Sequence, residues 1–315
     1  MKDGFIRVAA ATPDIHVADP QYNSEQIIEL MEQGSTRGVK VMAFPELCLT
    51  AYTCSDLFLQ ESLLREAKKE LKRILQASKS KDMILFVGMP WMHKGKLYNV
   101  AAVLNRGRIL GIVPKKHLPN YSEFYELRHF NPGMEKVEMT DWEGVQVPMG
   151  MNLLFACRTM PELVLAAELC EDVWVPCPPS ISHALAGATV IANCSASDET
   201  TGKDQYRYNL ICGQSARLVC GYIYANAGEG ESSQDLVFGG QNLIAENGVL
   251  LAEAKRFQNS VIYGEIDVQR LADERRRLST YPASDDADCQ IVPFEVKVEE
   301  TSLTRKFAPY PFVPS

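Results

Sequence analysis

The chain has 315 residues, of which 46% are hydrophobic and 23% are charged, and its formal net charge is −8. This composition is typical of a globular protein with a sizeable core, and the acidic balance argues against a nucleic-acid partner, because phosphate binding needs clustered Lys and Arg. The nine cysteines contain no Cys-x-x-Cys pair, which argues against structural zinc and a disulfide framework. With neither a signal peptide nor an apolar stretch of about 18 residues, we expect a cytoplasmic protein that has no membrane partner.

In the first half of the chain, the pattern of apolar residues predicts strands that alternate with helices. Short apolar runs that are typical of strands occupy residues 6–11, 39–44, 83–88, 97–104 and 109–113. A helix capped by Asn23 and Ser24 follows the first strand, and residues 60–79 have the apolar periodicity of an amphipathic helix packed on the core. Glu46 follows the second of these strands and Lys115 follows the fifth, at positions where loops commonly carry function.

The second half continues the alternation and adds hairpins. Further strands are expected at residues 163–165, 189–194, 221–226, 241–245 and 249–252. A helix is expected over residues 204–219, and the charged segment from Asp267 to Arg277 predicts a solvated helix. The pattern predicts one α/β domain with a mixed sheet over residues 1–300. Residues 301–315 are rich in proline, which is incompatible with regular structure, so we expect an extended tail or linker there.

Three strand ends thus carry an acid, an amine and a thiol, at Glu46, Lys115 and Cys170. Each has an ordinary explanation as well, because a carboxylate or a lysine is most often solvated and a cysteine is most often part of the core. Together they provide what nucleophilic attack on an amide needs. A thiol with a pKa of about 8.5 is mostly protonated at neutral pH. Glu46 could take the proton of the thiol, while Lys115 could lower the thiol pKa and bind an oxyanion.

The motifs around these three residues resemble the nitrilase (carbon-nitrogen hydrolase) superfamily. They are Phe44-Pro45-Glu46-Leu47, Pro114-Lys115-x-His117-Leu118-Pro119 and Glu168-Leu169-Cys170-Glu171-Asp172. Longer stretches, residues 44–58, 118–126 and 170–176, resemble one branch of that superfamily, the glutaminase domains of glutamine-dependent NAD+ synthetases. The resemblance implies a four-layer α-β-β-α sandwich of the nitrilase type.

The resemblance also implies roles for individual residues. Cys170 would be the nucleophile, Glu46 the general base and Lys115 the amine that stabilises the oxyanion. Glu126 matches a second carboxylate that supports the lysine.

Three further residues match positions that hold glutamine in that family. They are Tyr121 of the Leu-Pro-x-Tyr motif, Ser197 of the Asn-x-Ser-x-Ser segment, and Lys203. Arginine is often found in the family where this chain has Lys203. The lysine keeps the positive charge for an α-carboxylate but lacks the bidentate geometry of a guanidinium.

The implied reaction is hydrolysis of L-glutamine to L-glutamate and ammonia through a thioester on the cysteine, without a metal or organic cofactor in this chain. In such synthetases a second domain with a Ser-Gly-Gly-x-Asp-Ser loop uses ATP and Mg to amidate nicotinic acid adenine dinucleotide with the ammonia. This sequence stops before such a loop, so we expect the synthetase domain to be a separate partner or a missing part. The resemblance further implies a homo-oligomer.

Two alternatives remain open from the sequence. The same three residues would serve a stand-alone amidase or nitrilase that acts on another small amide or nitrile. A domain separated from its partner could also be a non-catalytic scaffold with a dormant site. Substrate preference separates the two enzymes, because a site that contains Tyr121, Ser197 and Lys203 should require an amino-acid head group.

Overall fold

A computed structural model describes residues 1–307 of the chain. The strands are β1 (Phe5–Ala11), β2 (Val41–Ala43), β3 (Ile84–His93), β4 (Lys96–Asn105), β5 (Arg108–Pro114), β6 (Glu138–Trp142), β7 (Val145–Met149), β8 (Leu153–Cys157), β9 (Val164–Leu169), β10 (Val190–Ser195), β11 (Gly221–Asn226), β12 (Leu243–Glu246), β13 (Val249–Glu253), β14 (Val261–Asp267) and β15 (Gln290–Phe294). The α-helices are α1 (Pro20–Thr36), α2 (Glu61–Ser78), α3 (Pro179–Leu185), α4 (Lys203–Leu218) and α5 (Val268–Arg277). Short 3-10 segments cover Tyr52–Leu59, Glu126–Arg128 and Cys170–Val173.

The strands form two mixed sheets. The eight-stranded sheet has the order β14-β1-β2-β3-β4-β5-β7-β6, and the seven-stranded sheet has the order β13-β12-β11-β10-β9-β8-β15. Strands β1, β2 and β3 pair in parallel, as do β9, β10 and β11. Hairpins add antiparallel strands beside each parallel group. The mixed sheet that the sequence predicted is therefore present twice.

The two sheets pack face to face and helices cover their outer faces. Successive side chains of a strand point to opposite faces, so Ile6, Val8 and Ala10 of β1 lie in the apolar layer between the sheets. Ala9 and Ala11 of the same strand lie in a second apolar layer, under α1 and α2. A third apolar layer separates the seven-stranded sheet from α3 and α4. These layers confirm the predicted α-β-β-α sandwich.

The start of α1 differs from the sequence prediction. The helix begins at Pro20, and Asp19 is the N-cap, because its side chain accepts a hydrogen bond from the backbone N–H of Tyr22. Proline at the first helical position favours this start, since its missing N–H would have no intrahelical partner there. Asn23 lies inside the helix instead, and its side chain bonds the backbone N–H and C=O of His16.

Several strands that the sequence did not predict lie at sheet edges. β6, β14 and β15 each have a neighbour on one side only. Polar residues or proline interrupt their apolar residues, so their apolar runs are no longer than three residues. An edge strand is stabilised by its partner as much as by its own pattern.

Residues 301–307 have no regular secondary structure and are bonded to the body of the protein. Thr304 Oγ1 donates to Glu265 at 2.8 Å, and a guanidinium N–H of Arg305 donates to Glu246 at 2.8 Å. The rest of the predicted tail, residues 308–315, lies outside the described residues, so a boundary at residue 300 stays a prediction. No helix in the described part of the chain has both the length and the hydropathy that crossing a membrane requires.

Candidate active site

Three strand ends meet between the two sheets. Glu46 follows β2 and Lys115 follows β5 in the eight-stranded sheet, and Cys170 follows β9 in the seven-stranded sheet. The ammonium of Lys115 donates a hydrogen bond to Glu46 Oε1 at 2.6 Å, and neither side chain is exposed at all. The thiol of Cys170 lies close enough that the charges of both residues shift its pKa. The fold thus brings together the three residues that the sequence analysis singled out.

Lys115 lies between two buried carboxylates. Its Nζ also donates to Glu126 Oε1 at 2.6 Å, and that oxygen accepts the hydroxyl of Tyr52 at 2.7 Å. Burial alone would lower the pKa of Lys115, but the charges of Glu126 and Glu46 outweigh it and raise the pKa well above its usual value. Burial raises the pKa of Glu126. The lysine is therefore a permanent cation in this site, and two of its three N–H groups have acceptors.

Glu46 is held by donors on both oxygens. Its Oε1 accepts from Asn99 Nδ2 at 2.6 Å in addition to Lys115, and its Oε2 accepts from the backbone N–H of Ala196 at 3.1 Å. These three groups all donate to the carboxylate, so they orient it and leave one lone-pair site, on Oε2, available for a proton. A carboxylate in this state can act as a general base.

The backbone at Cys170 has an unusual conformation. Its φ is +41°, in the left-handed region that residues other than glycine rarely adopt. The carboxylate of Asp172 stabilises the turn, because it accepts the backbone N–H of Leu169 at 3.1 Å and that of His117 at 2.8 Å. The turn presents the thiol at the end of its strand.

Burial and nearby charges keep the thiol of Cys170 protonated. Burial raises its pKa most, and the charge of Glu46 raises it further. Lys115 and a hydrogen bond with Ser195 lower the pKa but do not reverse the shift. Lys115 thus lowers the pKa of the thiol, as the sequence analysis expected, but burial and the carboxylates outweigh its charge. Attack by this thiol needs a base that takes the proton as the sulfur bonds to carbon.

Charged and aromatic side chains form the mouth of the site. Tyr121 is largely exposed, and its hydroxyl donates to Glu171 Oε1 at 2.9 Å. The ammonium of Lys203 lies 5.8 Å from the ring centre of Phe124 and 5.5 Å from that of Trp174. The charges of Lys115 and Lys203 both lower the pKa of Glu171, although burial raises it overall. The mouth therefore contains the carboxylate of Glu171 and the cation of Lys203, which is itself paired with Asp198.

A buried arginine organises the segment behind the mouth. Arg207 of α4 is completely buried, and it donates to Ser197 Oγ at 3.1 Å and to the carbonyl of Asp198 at 2.8 Å. It also forms a salt bridge of 2.8 Å with Glu199. The side chain of Asp198 is paired with Lys203. Ser197 is thus buried, and its hydroxyl oxygen accepts a hydrogen bond from Arg207.

The predicted site residues therefore fall into three places. Glu46, Lys115, Glu126 and Cys170 form the buried cluster, Tyr121 and Lys203 form part of the mouth, and Ser197 lies behind it. Sequence reasoning missed Asn99, Arg207 and the role of Glu171. Glu171 adjoins the cysteine, so its position in the motif was an available signal. Asn99 and Arg207 lie inside a strand and a helix, and their partners are distant in the sequence.

Metal ligands are not clustered in the part of the chain that the structure describes. Residues 1–307 contain no group of three His, Cys, Asp or Glu side chains that could hold a metal ion. The expectation that this chain needs no cofactor stays a prediction.

The sequence matches both a protein-family profile and individual curated proteins. The sequence profile described as carbon-nitrogen hydrolase matches residues 7–276. A glutamine-dependent NAD(+) synthetase of Mycobacterium leprae is 39% identical over 322 aligned positions, which cover 99% of this chain and 47% of that protein. The chain thus spans about half the length of the curated relatives it matches.

Solved structures give a consistent result. A glutamine-dependent NAD(+) synthetase from Cytophaga hutchinsonii superposes with a TM-score of 0.75 at 29% identity, over 83% of this chain and 43% of that chain. An amidase from a Nesterenkonia species superposes with a TM-score of 0.65 at 20% identity, over 87% of this chain and 96% of that chain. The second match concerns the fold alone.

Proposed function

Because the chain belongs to the carbon-nitrogen hydrolase family, we propose that it hydrolyses the side-chain amide of L-glutamine and is the glutaminase half of a glutamine-dependent NAD+ synthetase. One observation carries the proposal. A buried Glu46–Lys115 ion pair lies beside the thiol of Cys170, under a mouth that contains both a cation and a carboxylate. The synthetases that match most of this chain support the choice of glutamine.

In the first half of the reaction, the sulfur of Cys170 attacks the amide carbon while Glu46 takes the proton of the thiol. Concerted proton transfer is required because the thiol is protonated at rest. The third N–H of Lys115 donates to the oxyanion that forms on the carbonyl oxygen. The tetrahedral intermediate then breaks its C–N bond, and Glu46 returns the proton to the leaving nitrogen, which departs as ammonia.

In the second half, water resolves the γ-glutamyl thioester. Glu46 takes a proton from water, and the hydroxide attacks the thioester carbon. The C–S bond breaks, Cys170 recovers its proton from Glu46, and glutamate leaves. Glu126 does not touch the substrate in this scheme. It acts by holding the ammonium of Lys115 at 2.6 Å from the side opposite Glu46.

The mouth would recognise the amino-acid head group. Lys203 would bind the α-carboxylate, and Glu171 would accept the α-ammonium, with Tyr121 fixing the Glu171 carboxylate. Ser197 would donate its hydroxyl proton to the ligand. A substrate with opposite charges at its α-carbon complements a mouth with opposite charges, and a neutral amide gains nothing from either group.

The partner assignments are part of the same proposal. Ammonia would be used by an ATP- and Mg-dependent synthetase domain outside this chain, in a cytoplasmic homo-oligomer. A partner domain is supported by the relatives' greater length, because this chain covers only 47% of the Mycobacterium leprae protein.

The test is glutamate release from L-glutamine by the wild-type chain, by Cys170→Ala and by Cys177→Ala. Cys177 is an exposed cysteine away from the cluster, so its variant is the matched control. We expect turnover in the wild type and the control and none in Cys170→Ala, with hydroxylamine diverting the thioester to γ-glutamyl hydroxamate.

A panel of other amides and nitriles completes this test. Turnover of a neutral amide in preference to glutamine would overturn the glutaminase assignment in favour of a stand-alone amidase. If no substrate is turned over even when the synthetase domain of a relative is added, the non-catalytic scaffold is favoured.

A further inference from the structure

Behind Cys170, three buried polar side chains line the outer face of the seven-stranded sheet. Glu168 of β9, Asn193 of β10 and Tyr222 of β11 are at most 1% exposed. Glu168 and Asn193 are cross-strand neighbours, and Tyr222 lies on the next strand. None of them contributes to the apolar layer between the sheets, and none is used by the chemistry described above. Buried polar groups cost free energy unless they are hydrogen-bonded, so their arrangement needs an explanation.

The three side chains form one hydrogen-bond chain that begins at the nucleophile. The backbone N–H of Cys170 donates to Asn193 Oδ1 at 3.1 Å, and Asn193 Nδ2 donates to the hydroxyl of Tyr222 at 3.1 Å. Tyr222 in turn donates its proton to Glu168 Oε1. The other oxygen of Glu168 accepts the backbone N–H of Ser180 at 2.8 Å.

In each hydrogen bond of this chain, which group donates and which accepts depends on the next hydrogen bond. A backbone N–H can only donate, so Asn193 must present its oxygen to Cys170 and its NH2 group to Tyr222. Tyr222 can accept from Asn193 only if its own proton points elsewhere, and the carboxylate of Glu168 accepts it. Glu168 thus fixes the amide orientation of Asn193 through the tyrosine. Without Tyr222 or the carboxylate, the amide of Asn193 would be free to turn over and place NH2 against the N–H of Cys170.

The hydrogen bond between Asn193 and the backbone of Cys170 is made at a residue whose backbone conformation is unfavourable. A residue other than glycine at a φ of +41° is in a strained conformation that persists only when its surroundings hold it. The thiol projects from this residue toward Glu46 and Lys115. A shift of about 1 Å in a reacting atom can cost about a hundredfold in rate.

We propose that Asn193, Tyr222 and Glu168 are positioning residues that hold Cys170 in its reactive backbone conformation. The inference rests on the proposed function, in that Cys170 is the nucleophile. No member of the chain touches the substrate. The network should therefore affect the chemical step and leave substrate binding unchanged.

The test compares Tyr222→Phe with Tyr281→Phe. Both variants remove a tyrosine hydroxyl that bonds inside the protein, but the hydroxyl of Tyr281 bonds the carbonyls of Ala184 and Leu218 and has no link to Cys170. For Tyr222→Phe we expect kcat with glutamine to fall about 10- to 100-fold with KM unchanged within twofold. For Tyr281→Phe we expect both constants to stay near wild type.

A second readout needs no substrate. Alkylation of Cys170 by iodoacetamide, measured by peptide mass spectrometry relative to the exposed Cys177, should slow in Tyr222→Phe and not in Tyr281→Phe. The measurement is made at a pH of about 8.5, because burial raises the pKa of Glu168 to about 7 and the carboxylate is then ionised. Slowed alkylation in a chain that does not turn over glutamine would support the positioning role while the proposed function fails.

Glu168→Gln is the second variant, because Tyr222 and Ser180 bond different oxygens of Glu168 and glutamine puts an NH2 group, which only donates, at one of those two positions. We expect it to lower kcat and slow alkylation in the same way as Tyr222→Phe. A folded variant of either residue with kcat and Cys170 alkylation within twofold of wild type would overturn the proposal. Failure of both variants to fold would overturn it as well, because the network would then support the whole sheet and not Cys170 in particular.

Discussion

Replacing Lys115 by Met should both abolish turnover and destabilise the fold. The substitution keeps most of the side-chain volume and removes the one charge between Glu46 and Glu126, each 2.6 Å from the ammonium. Two buried carboxylates would then face each other without a cation. Removing one partner of a buried ion pair costs about 3–5 kcal/mol, because the remaining charge stays desolvated. We therefore expect the free energy of unfolding near neutral pH to fall by about that amount.

The matched control is Lys116→Met, which removes the neighbouring lysine. Lys116 is partly exposed and pairs with the exposed Glu135 at 2.6 Å, and such surface pairs contribute about 0–1 kcal/mol. Urea unfolding of both variants, followed by circular dichroism, measures the difference.

The loss in Lys115→Met should also shrink as the pH is lowered, because the carboxylates can then take up protons and lose their repulsion. Equal losses in the two variants, or a loss in Lys115→Met that does not change with pH, would refute the buried ion cluster as the source of the effect.

Three further predictions follow from other buried or charged groups. Burial, helped by the charge of Asp172, raises the pKa of Glu168 to about 7 from a usual value of 4.5. The folded state therefore favours the protonated acid, which contributes about 3 kcal/mol to the free energy of unfolding. This contribution is fully present below about pH 4.5 and is lost as the pH rises through 7. Urea unfolding at a series of pH values should show this loss in the wild type and not in Glu168→Gln. Lys203→Met should raise KM for glutamine about 10- to 100-fold relative to KM for a neutral amide, since a charge-assisted hydrogen bond contributes about 1.5–3 kcal/mol; steady-state kinetics should compare the two substrates in the same variant, because the variant also leaves Asp198 without its partner. Arg207→Leu should lower the free energy of unfolding by about 3–5 kcal/mol, because Glu199 would stay buried without its main partner, and a denaturant titration against Arg217→Leu checks this.

Much of the layered fold could be predicted from local patterns. The amphipathic period of residues 60–79 predicted α2, which covers Glu61–Ser78, and short apolar runs predicted most of the central strands of both sheets, although β7 and β8 were missed. The edge strands β6, β14 and β15 were not predicted, because they are held by a partner and not by an apolar run of their own. Residue 23 illustrates the same limit at a helix start, where the local preference of Asn for a cap was outweighed by Pro20 and Asp19.

The sequence alone showed which residues to examine at the site. Three motifs that follow strand ends were enough to single out Glu46, Lys115 and Cys170, because strand ends and loop chemistry are local signals. How these groups interact depends on the folded structure. It buries the cluster completely, surrounds Lys115 with two carboxylates and makes the thiol of Cys170 harder to ionise. Desolvation and charge pairing depend on groups brought together from distant parts of the chain, and no local pattern encodes their distances.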